Sequence, residues 1–240
     1  MQGIVDIGNT AIKVALFNEF ELIETASITD FDADGVRMLV DCDYVYIGST
    51  ASQIKTEEII SKLQKKTIIR GFSSEKLRVN YSQYAFETLG ADRIANAEQA
   101  FVNFKGLPVL VVDAGTCITY EVVCNKTFQS FGISPGFGMR LKAMHTFTGR
   151  LPEVQLTDAN FNELKENMSD TKSSMLQSVA LGTVAEVNDR INIFTKQFSN
   201  GKVVLTGGDA ERLKKHIKIS TFADPYWTLK GYNEILLQHI

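Results

Sequence analysis

The apolar and polar positions at the start of the chain predict a β-hairpin. Ile4 to Asp6 and Ile12 to Phe17 have the pattern of two strands, and Gly8-Asn9 lies between them as a tight turn. Asp6 is unusual here, because it places a carboxylate at the end of a strand that is otherwise apolar. The pattern therefore raises the question of what this carboxylate and its polar turn bind.

The rest of the chain alternates between strand-like and helix-like patterns. A strand-like DYVYIGST is followed by ASQIKTEEIISKLQKK, whose apolar positions recur at helical spacing. A helix is predicted from Asp92 to Phe104, and the segment SSMLQSVALGTVAEVNDRINIFTKQF predicts one helix, or two that are interrupted near Gly182. Strands that alternate with helices in this way predict α/β architecture.

An internal repeat relates two parts of the sequence. VDIGNTAIKVAL and VDAGTCITYEVV superimpose with Asp6 on Asp113 and Gly8 on Gly115, and both continue into an alternating strand. A single repeat at this distance is too long for a solenoid and indicates two similar domains that each open with a hairpin. We expect the domains to be 1–108 and 109–240, because Gly106 and Pro108 interrupt the apolar pattern.

Composition and charge exclude several classes of function. The 240 residues are 44% hydrophobic and 22% charged, with a net charge of −3 and no long basic run, so neither a nucleic-acid nor a membrane partner is expected. Three cysteines without a CxxC and three scattered histidines predict neither a disulfide framework nor a zinc site. With no signal-like start and no membrane-spanning run, a cytoplasmic protein is expected.

The two hairpins have the chemistry of a nucleotide phosphate site. In a strand–Asp–x–Gly turn, backbone N–H groups and the Thr10 hydroxyl can hold phosphate oxygens, while Asp6 can hold the Mg²⁺ that neutralises them. The alternative is a hairpin whose aspartate only caps its own turn. A Gly207-Gly208 turn between a strand and a helix adds a place where the backbone can closely approach a base or ribose. Hairpin, hairpin and Gly-Gly in this order resemble the phosphate and adenosine sites of the actin-like ATPase and sugar kinase architecture.

Five motifs narrow the resemblance. DIGNT, LGADRIANA, DAGTCITYEV, ISPG and VVLTGGDA, in this order, resemble the type III pantothenate kinases over essentially the whole chain. The resemblance implies two actin-like (ribonuclease H-like) domains with an interdomain ATP cleft. It also implies ATP-dependent phosphorylation of the primary hydroxyl of pantothenate, which gives 4'-phosphopantothenate in the first step of coenzyme A biosynthesis. Homodimers, Mg²⁺ and a monovalent cation, K⁺ or NH₄⁺, are further implications.

The resemblance assigns roles to residues at both hairpins. Asp6 would hold Mg²⁺ through the phosphates, whereas Asp113 would hold the monovalent cation. The residues expected to bind ATP are Asp6, Gly8, Asn9, Thr10, Lys13, Thr116, Gly207 and Gly208.

The acceptor pocket is assigned to the segment around GADR. Asp92 would be the general base that takes the proton of the attacking hydroxyl, although a helix cap is its default role. The planar fork of Arg93 suits the carboxylate of pantothenate. The residues expected to bind pantothenate are Tyr84, Gly90, Ala91, Asp92, Arg93 and Thr183, of which Thr183 could equally bond back to its own helical turn.

Two places depart from the family pattern. Tyr84 lies one residue closer to Gly90 than the family tyrosine, and Gln83 has the expected spacing. Ser130 and Phe131 stand where the family commonly has two glycines, and Gly132 is the nearest candidate to compensate. These departures support an alternative, a nucleotide-binding accessory or regulatory protein of the same fold with little or no turnover. A sugar or acetate kinase is a third alternative, which the short length and the GADR motif make weaker.

Overall fold

The computed structural model describes residues 1–31, 33–63, 67–70, 74–158, 161 and 168–240. The strands are β1 (Gln2–Ile7), β2 (Ile12–Asn18), β3 (Glu21–Ile28), β4 (Tyr44–Ser49), β5 (Thr67–Arg70), β6 (Val109–Ala114), β7 (Cys117–Cys124), β8 (Thr127–Pro135), β9 (Lys202–Thr206) and β10 (Phe222–Ala223). The α-helices are α1 (Ala33–Met38), α2 (Gln53–Lys62), α3 (Ala91–Asn103), α4 (Phe137–Thr146), α5 (Thr171–Gln197), α6 (Ala210–Lys214) and α7 (Trp227–Leu237). Within the described residues, none of these helices is long and apolar enough to cross a membrane.

The first sheet has the strand order β3-β2-β1-β4-β5. β1 pairs antiparallel with β2 and parallel with β4, which confirms the predicted hairpin at the start of the chain. Asp6 lies opposite Lys13 in the β1–β2 register. The apolar side chains of these strands are buried in a core that also takes Phe31, Leu39 and Ile59. Burial of this apolar face stabilises the sheet and leaves its polar turn at the edge.

The second sheet has the strand order β10-β9-β6-β7-β8. β6, β9 and β10 are parallel, and β6 and β9 are almost continuously buried, as is usual for parallel strands that are covered on both faces. Their register places Asp113 beside Thr206 at the carboxyl ends of the two strands. Two similar mixed sheets with helices confirm the predicted α/β fold class.

Helix α5 runs without interruption through Gly182, so the single-helix prediction is the correct one. Asp170 caps its first turn, because the Asp170 side chain accepts from the N–H of Ser173 at 2.7 Å and the Ser173 hydroxyl accepts from the N–H of Asp170. Such a capping box and the burial of one helix face outweigh the cost of about 1 kcal/mol for an exposed glycine.

The chain forms two compact units. The first contains Met1–Gly106, Glu121–Ser130 and Tyr226–Ile240, and the second contains Leu107–Tyr120 and Phe131–Pro225. Helix α7 belongs to the first unit, where it packs on α3 so closely that a Cβ at Gly231 would lie 2.0 Å from the Ala95 carbonyl oxygen. The division into 1–108 and 109–240 stays a prediction.

Candidate active site

The first hairpin presents an open polar turn in the first unit. Its turn is closed by the N–H of Gly8, which donates to the carbonyl of Ala11 at 3.0 Å. Asn9 and Thr10 are exposed at the tip, and Asp6 is half-buried at the base. The hydroxyl of Tyr232 on α7 lies 3.4 Å from Asp6 Oδ1. The turn is thus held by backbone groups, and the aspartate stands beside it.

The second hairpin is the point where three sequence motifs meet within the second unit. The N–H of Gly136, in ISPG, donates to the Thr116 carbonyl at 2.9 Å. Gly207 has a φ of +90°, and a Cβ there would lie 2.4 Å from the Ala114 carbonyl oxygen and 2.5 Å from Asp113 Oδ1. Only glycine fits this approach. The close approach predicted for Gly207 is therefore made to the Asp113 turn, whereas a Cβ at Gly208 would meet nothing within 4 Å.

A cavity of about 370 Å³ lies beside the Gly207-Gly208 motif in the same unit. A volume of this size is at the lower end for a small-molecule site. Asp209 and Arg212 line one part of it and form an ion pair with each other, and Arg212 Nε also lies 2.7 Å from Asp158 Oδ1. Burial raises the pKa of Asp209 although Arg212 opposes this rise. The apolar part of the lining includes Phe137 and Val154.

Asp92 is the second residue of α3, and its carboxylate lies against the first turn of the helix. The N-cap is Gly90, and a Cβ atom added at this position would lie 2.4 Å from Asp92 Oδ1. The same oxygen accepts from the N–H of Arg93 at 2.9 Å. The aspartate is therefore not the N-cap residue, but it satisfies one N–H of the first turn, where a negative charge is favourable.

Arg93 is almost completely buried in the first unit. Its Nε donates to Glu121 Oε1 at 2.7 Å, and its Nη2 donates to the Ser130 hydroxyl at 2.8 Å. The Arg93 and Glu121 side chains are 4% and 0% exposed. The guanidinium carbon lies 5.7 Å from the ring centre of Tyr84 and 5.6 Å from that of Phe128. These hydrogen bonds help to hold the Arg93 guanidinium in its plane, and the rings of Tyr84 and Phe128 flank it.

Tyr84, rather than Gln83, lies against Arg93. The Tyr84 ring is half-buried and meets Phe128 edge to face at 5.7 Å, whereas Gln83 is exposed. The chain therefore brings together Tyr84, Arg93 and the start of α3, although the tyrosine departs by one residue from the family spacing.

Ser130 and Phe131 have different surroundings. Ser130 accepts from Arg93, as described above, while Phe131 lies 5.5 Å from the guanidinium carbon of Arg190 in the second unit. Gly132 has a φ of +140°, a conformation that favours glycine. Within this strand, the conformation that favours glycine is thus at Gly132.

Thr183 is fully buried on α5, and its hydroxyl has no hydrogen-bond partner among the described residues. Thr183 therefore does not bond back to its own helical turn, which was one of the two expectations. An unbonded buried hydroxyl is uncommon in native structures.

Glu121 was missed by reasoning from the sequence. It is a fully buried carboxylate in the apolar strand CITYEVVC, so the criterion that selected Asp6 would also have selected it. Glu98 on α3 was missed as well: it is fully buried and accepts from the N–H groups of Arg78 and Val79 at 3.0 and 2.9 Å and from the Tyr81 hydroxyl at 3.1 Å. Among the described residues, no group of three or more His, Cys, Asp or Glu side chains could hold a metal ion.

Comparison with known proteins identifies the family. The chain matches the model of the type III pantothenate kinases over residues 4–192. It belongs to the type III pantothenate kinase family. The curated type III pantothenate kinase of Bacteroides fragilis strain YCH46 is 35% identical over 240 residues, covering 98% of this chain and 97% of the relative. That of Flavobacterium johnsoniae strain UW101 is 30% identical, covering 96% and 95%.

Solved structures with low sequence identity share the fold of this type III pantothenate kinase family member. A Campylobacter jejuni protein assigned to the Baf family of transcriptional activators has a TM-score of 0.60 and 18% identity, covering 99% of this chain and 98% of that one. The inorganic polyphosphate/ATP-glucomannokinase of an Arthrobacter strain has a TM-score of 0.52 and 12% identity with full coverage of both chains. The fold is that of the actin-like ATPases and sugar kinases.

Proposed function

We propose that this protein transfers the γ-phosphoryl group of ATP to the primary hydroxyl of pantothenate, giving 4'-phosphopantothenate. The observation that carries the proposal is the family match over residues 4–192, which includes the Asp6 hairpin, the Gly90–Arg93 segment and the Asp113 hairpin. We also propose that it acts in the cytoplasm, as a homodimer of chains with domains at 1–108 and 109–240.

The two hairpins would hold the phosphates of ATP. Asn9 and Thr10 in the first turn and Thr116 in the second are exposed polar residues that suit phosphate oxygens, and the cavity beside Gly207-Gly208 has room for adenosine. The residues proposed to bind ATP are Asp6, Gly8, Asn9, Thr10, Lys13, Thr116, Gly207 and Gly208.

Mg²⁺ bound to the phosphates would neutralise the charge that develops in phosphoryl transfer. Asp6 is the carboxylate proposed to hold it, since it stands beside the first phosphate turn. Because Mg²⁺ keeps several waters and phosphate oxygens as ligands, one carboxylate is a sufficient protein contribution.

A monovalent cation, K⁺ or NH₄⁺, is proposed at Asp113. The residues present fit such an ion, because Thr206 is Asp113's register partner and its fully buried hydroxyl has no hydrogen-bond partner within the described part of the chain. Side chains at paired positions of adjacent strands lie on the same face, so the Thr206 hydroxyl adds an oxygen ligand beside the carboxylate. We propose that Thr206 shares the ion with Asp113.

The acceptor would bind at the start of α3. The residues proposed for this site are Tyr84, Gly90, Ala91, Asp92, Arg93 and Thr183. Asp92 would accept the proton of the primary hydroxyl as that oxygen attacks the γ-phosphorus, and Arg93 would orient the acceptor. Phosphoryl transfer of this type depends mostly on positioning and charge neutralisation, to which a general base adds a further factor.

Steady-state consumption of ATP with and without pantothenate tests the proposed function. We expect ATP consumption to require pantothenate and to yield one phosphorylated product per ATP, identified by mass spectrometry. A protein that binds ATP but phosphorylates no acceptor would instead be an accessory protein of this fold. Consumption driven by a sugar or by acetate would make it a different kinase.

A further inference from the structure

The guanidinium of Arg93 is held by side chains from two strands, although Arg93 itself lies at the start of a helix. Glu121 and Ser130 come from β7 and β8, and their side chains reach two different nitrogens of one guanidinium at 2.7 and 2.8 Å. Hydrogen bonds that involve a charged group are roughly twice as strong as neutral ones. The guanidinium is planar, so fixing Nε and Nη2 also fixes the direction of Nη1.

Two aromatic rings further restrict the movement of the Arg93 guanidinium. Tyr84 and Phe128 each lie within 6 Å of the guanidinium carbon, which is the range of a cation–π contact. Arg93, Glu121 and Phe128 are buried, which shields the ion pair between Arg93 and Glu121 from water, whereas Tyr84 is half-buried and Ser130 is exposed. We refer to Glu121, Ser130, Tyr84 and Phe128 as the Arg93 clamp.

The Arg93 clamp is linked to the proposed base through one peptide unit. The N–H of Arg93 donates to Asp92 Oδ1 at 2.9 Å, so the backbone of the clamped residue holds the carboxylate of its neighbour. A shift of Arg93 would therefore change the position of Asp92 as well. Misplacement of reacting groups by about 1 Å is enough to cost roughly 100-fold in rate.

We propose that Glu121 and Ser130 are positioning residues of the acceptor site, which act through Arg93 on both acceptor orientation and the Asp92 carboxylate. The inference rests on the proposed function, since it presumes that the acceptor binds at Gly90–Arg93. It also gives a role to Ser130, because a glycine or alanine at this position would have no hydroxyl to accept from Nη2.

A double-mutant cycle between Ser130 and Arg93 tests the proposal. Ser130→Ala is expected to raise the KM for pantothenate and to lower kcat, by roughly tenfold together in kcat/KM, while the KM for ATP and the melting temperature stay close to wild type. Ser130→Thr keeps the hydroxyl and is expected to retain activity. In an Arg93→Lys background, Ser130→Ala should have less than about a twofold further effect, because residues that act through one another are not additive.

The matched control is Thr127→Val on the same strand, whose hydroxyl donates to the nearby Asn125 carbonyl at 3.4 Å and is outside the Arg93 clamp. It should leave all four quantities near wild type. Glu121→Gln should lower kcat/KM for pantothenate as Ser130→Ala does, and by a larger factor. If Glu121→Gln or Arg93→Lys does not fold, the proposal is tested by comparing kcat/KM for pantothenate between Ser130→Ala and Ser130→Thr.

Effects of Ser130→Ala that add fully to those of Arg93→Lys would overturn the positioning role, as would equal losses in Ser130→Ala and Ser130→Thr. In either case wild-type turnover of pantothenate keeps the proposed function intact. A wild-type protein that does not phosphorylate pantothenate overturns the proposed function, and the acceptor-site role of the Arg93 clamp with it.

Discussion

Asp92 lies in the first turn of α3, where its carboxylate accepts from the N–H of Arg93 and covers Gly90. A helix-stabilising role and a catalytic role predict different results for the same substitution. Asparagine keeps an oxygen that can accept from Arg93 but cannot take up the proton of an alcohol. The two roles can therefore be separated at this one residue.

Asp92→Asn is expected to lower turnover roughly 10²–10⁴-fold, the usual loss for a general base. The affinity for ATP should stay near wild type, because Asp92 is proposed to face the acceptor. Stability should fall by less than about 1 kcal/mol, since only the favourable charge at the helix start is lost. Rate, ATP affinity and melting temperature are measured together, and a folded, ATP-binding variant with wild-type turnover would contradict the catalytic role.

Glu98 gives a prediction for stability against pH. Burial raises the pKa of the Glu98 carboxyl, although hydrogen bonds from Val79, Arg78 and Tyr81 oppose the rise. Between the unfolded and the folded pKa the folded state therefore binds more protons, so the free energy of unfolding contributed by Glu98 falls as pH rises through this window. Glu98→Gln should flatten this decline in denaturant titrations from about pH 4.3, the unperturbed value, upwards. An unchanged slope would show that Glu98 does not titrate in this way.

At the scale of elements, the sequence predicted what depends on local pattern and missed what depends on distant contacts. The hairpin at Asp6, the helix that starts beside Asp92 and the α/β alternation follow from periodicity and turn residues. The return of α7 to the first unit does not, because it depends on the fit of Gly231 against Ala95, far away in the chain. The Arg93 clamp was missed for the same reason: Glu121 and Ser130 lie on strands that meet α3 only after folding.

The Gly207 turn is an element whose geometry makes a clear prediction. Gly207→Ala places a methyl group 2.4 Å from the Ala114 carbonyl oxygen at a φ of +90°. Backbone strain of this kind costs about 1–3 kcal/mol, or roughly 2–12 °C in melting temperature for a chain of this length. Gly208→Ala is the matched control for stability, because its methyl group would meet nothing within 4 Å. Equal melting temperatures of the two variants would refute the close approach at Gly207.

At the scale of the whole molecule, the predicted homodimer can be measured directly. Light scattering should give about 53 kDa, twice the 26.7 kDa of the chain. Leu181 on α5 is 48% exposed and lies two residues from Thr183, which the family resemblance puts near the subunit boundary. Leu181→Glu is therefore expected to shift the protein towards the monomer, whereas Ile54→Glu on α2, at an 83% exposed position, should not. A monomeric wild-type protein at micromolar concentration would contradict the dimer.

Cation binding should be visible in the stability of the whole chain as well as in turnover. A ligand that binds only the folded state at 100 times its Kd adds about 2.7 kcal/mol to the free energy of unfolding. At equal ionic strength, K⁺ or NH₄⁺ should therefore raise the melting temperature and the turnover relative to Na⁺ or tetramethylammonium.

Asp113→Asn should abolish the thermal shift, and Thr206→Val should reduce it by removing one oxygen ligand. Thr195→Val removes a hydroxyl that bonds to the Ile191 carbonyl of its own helix, at 3.0 Å, and should keep the full shift. Identical melting curves in all four buffers, or a full potassium shift in Asp113→Asn, would exclude a cation at Asp113. A full rise in melting temperature in Thr206→Val would show that Asp113 binds the cation without Thr206. The unbonded Thr206 hydroxyl would then need a different explanation.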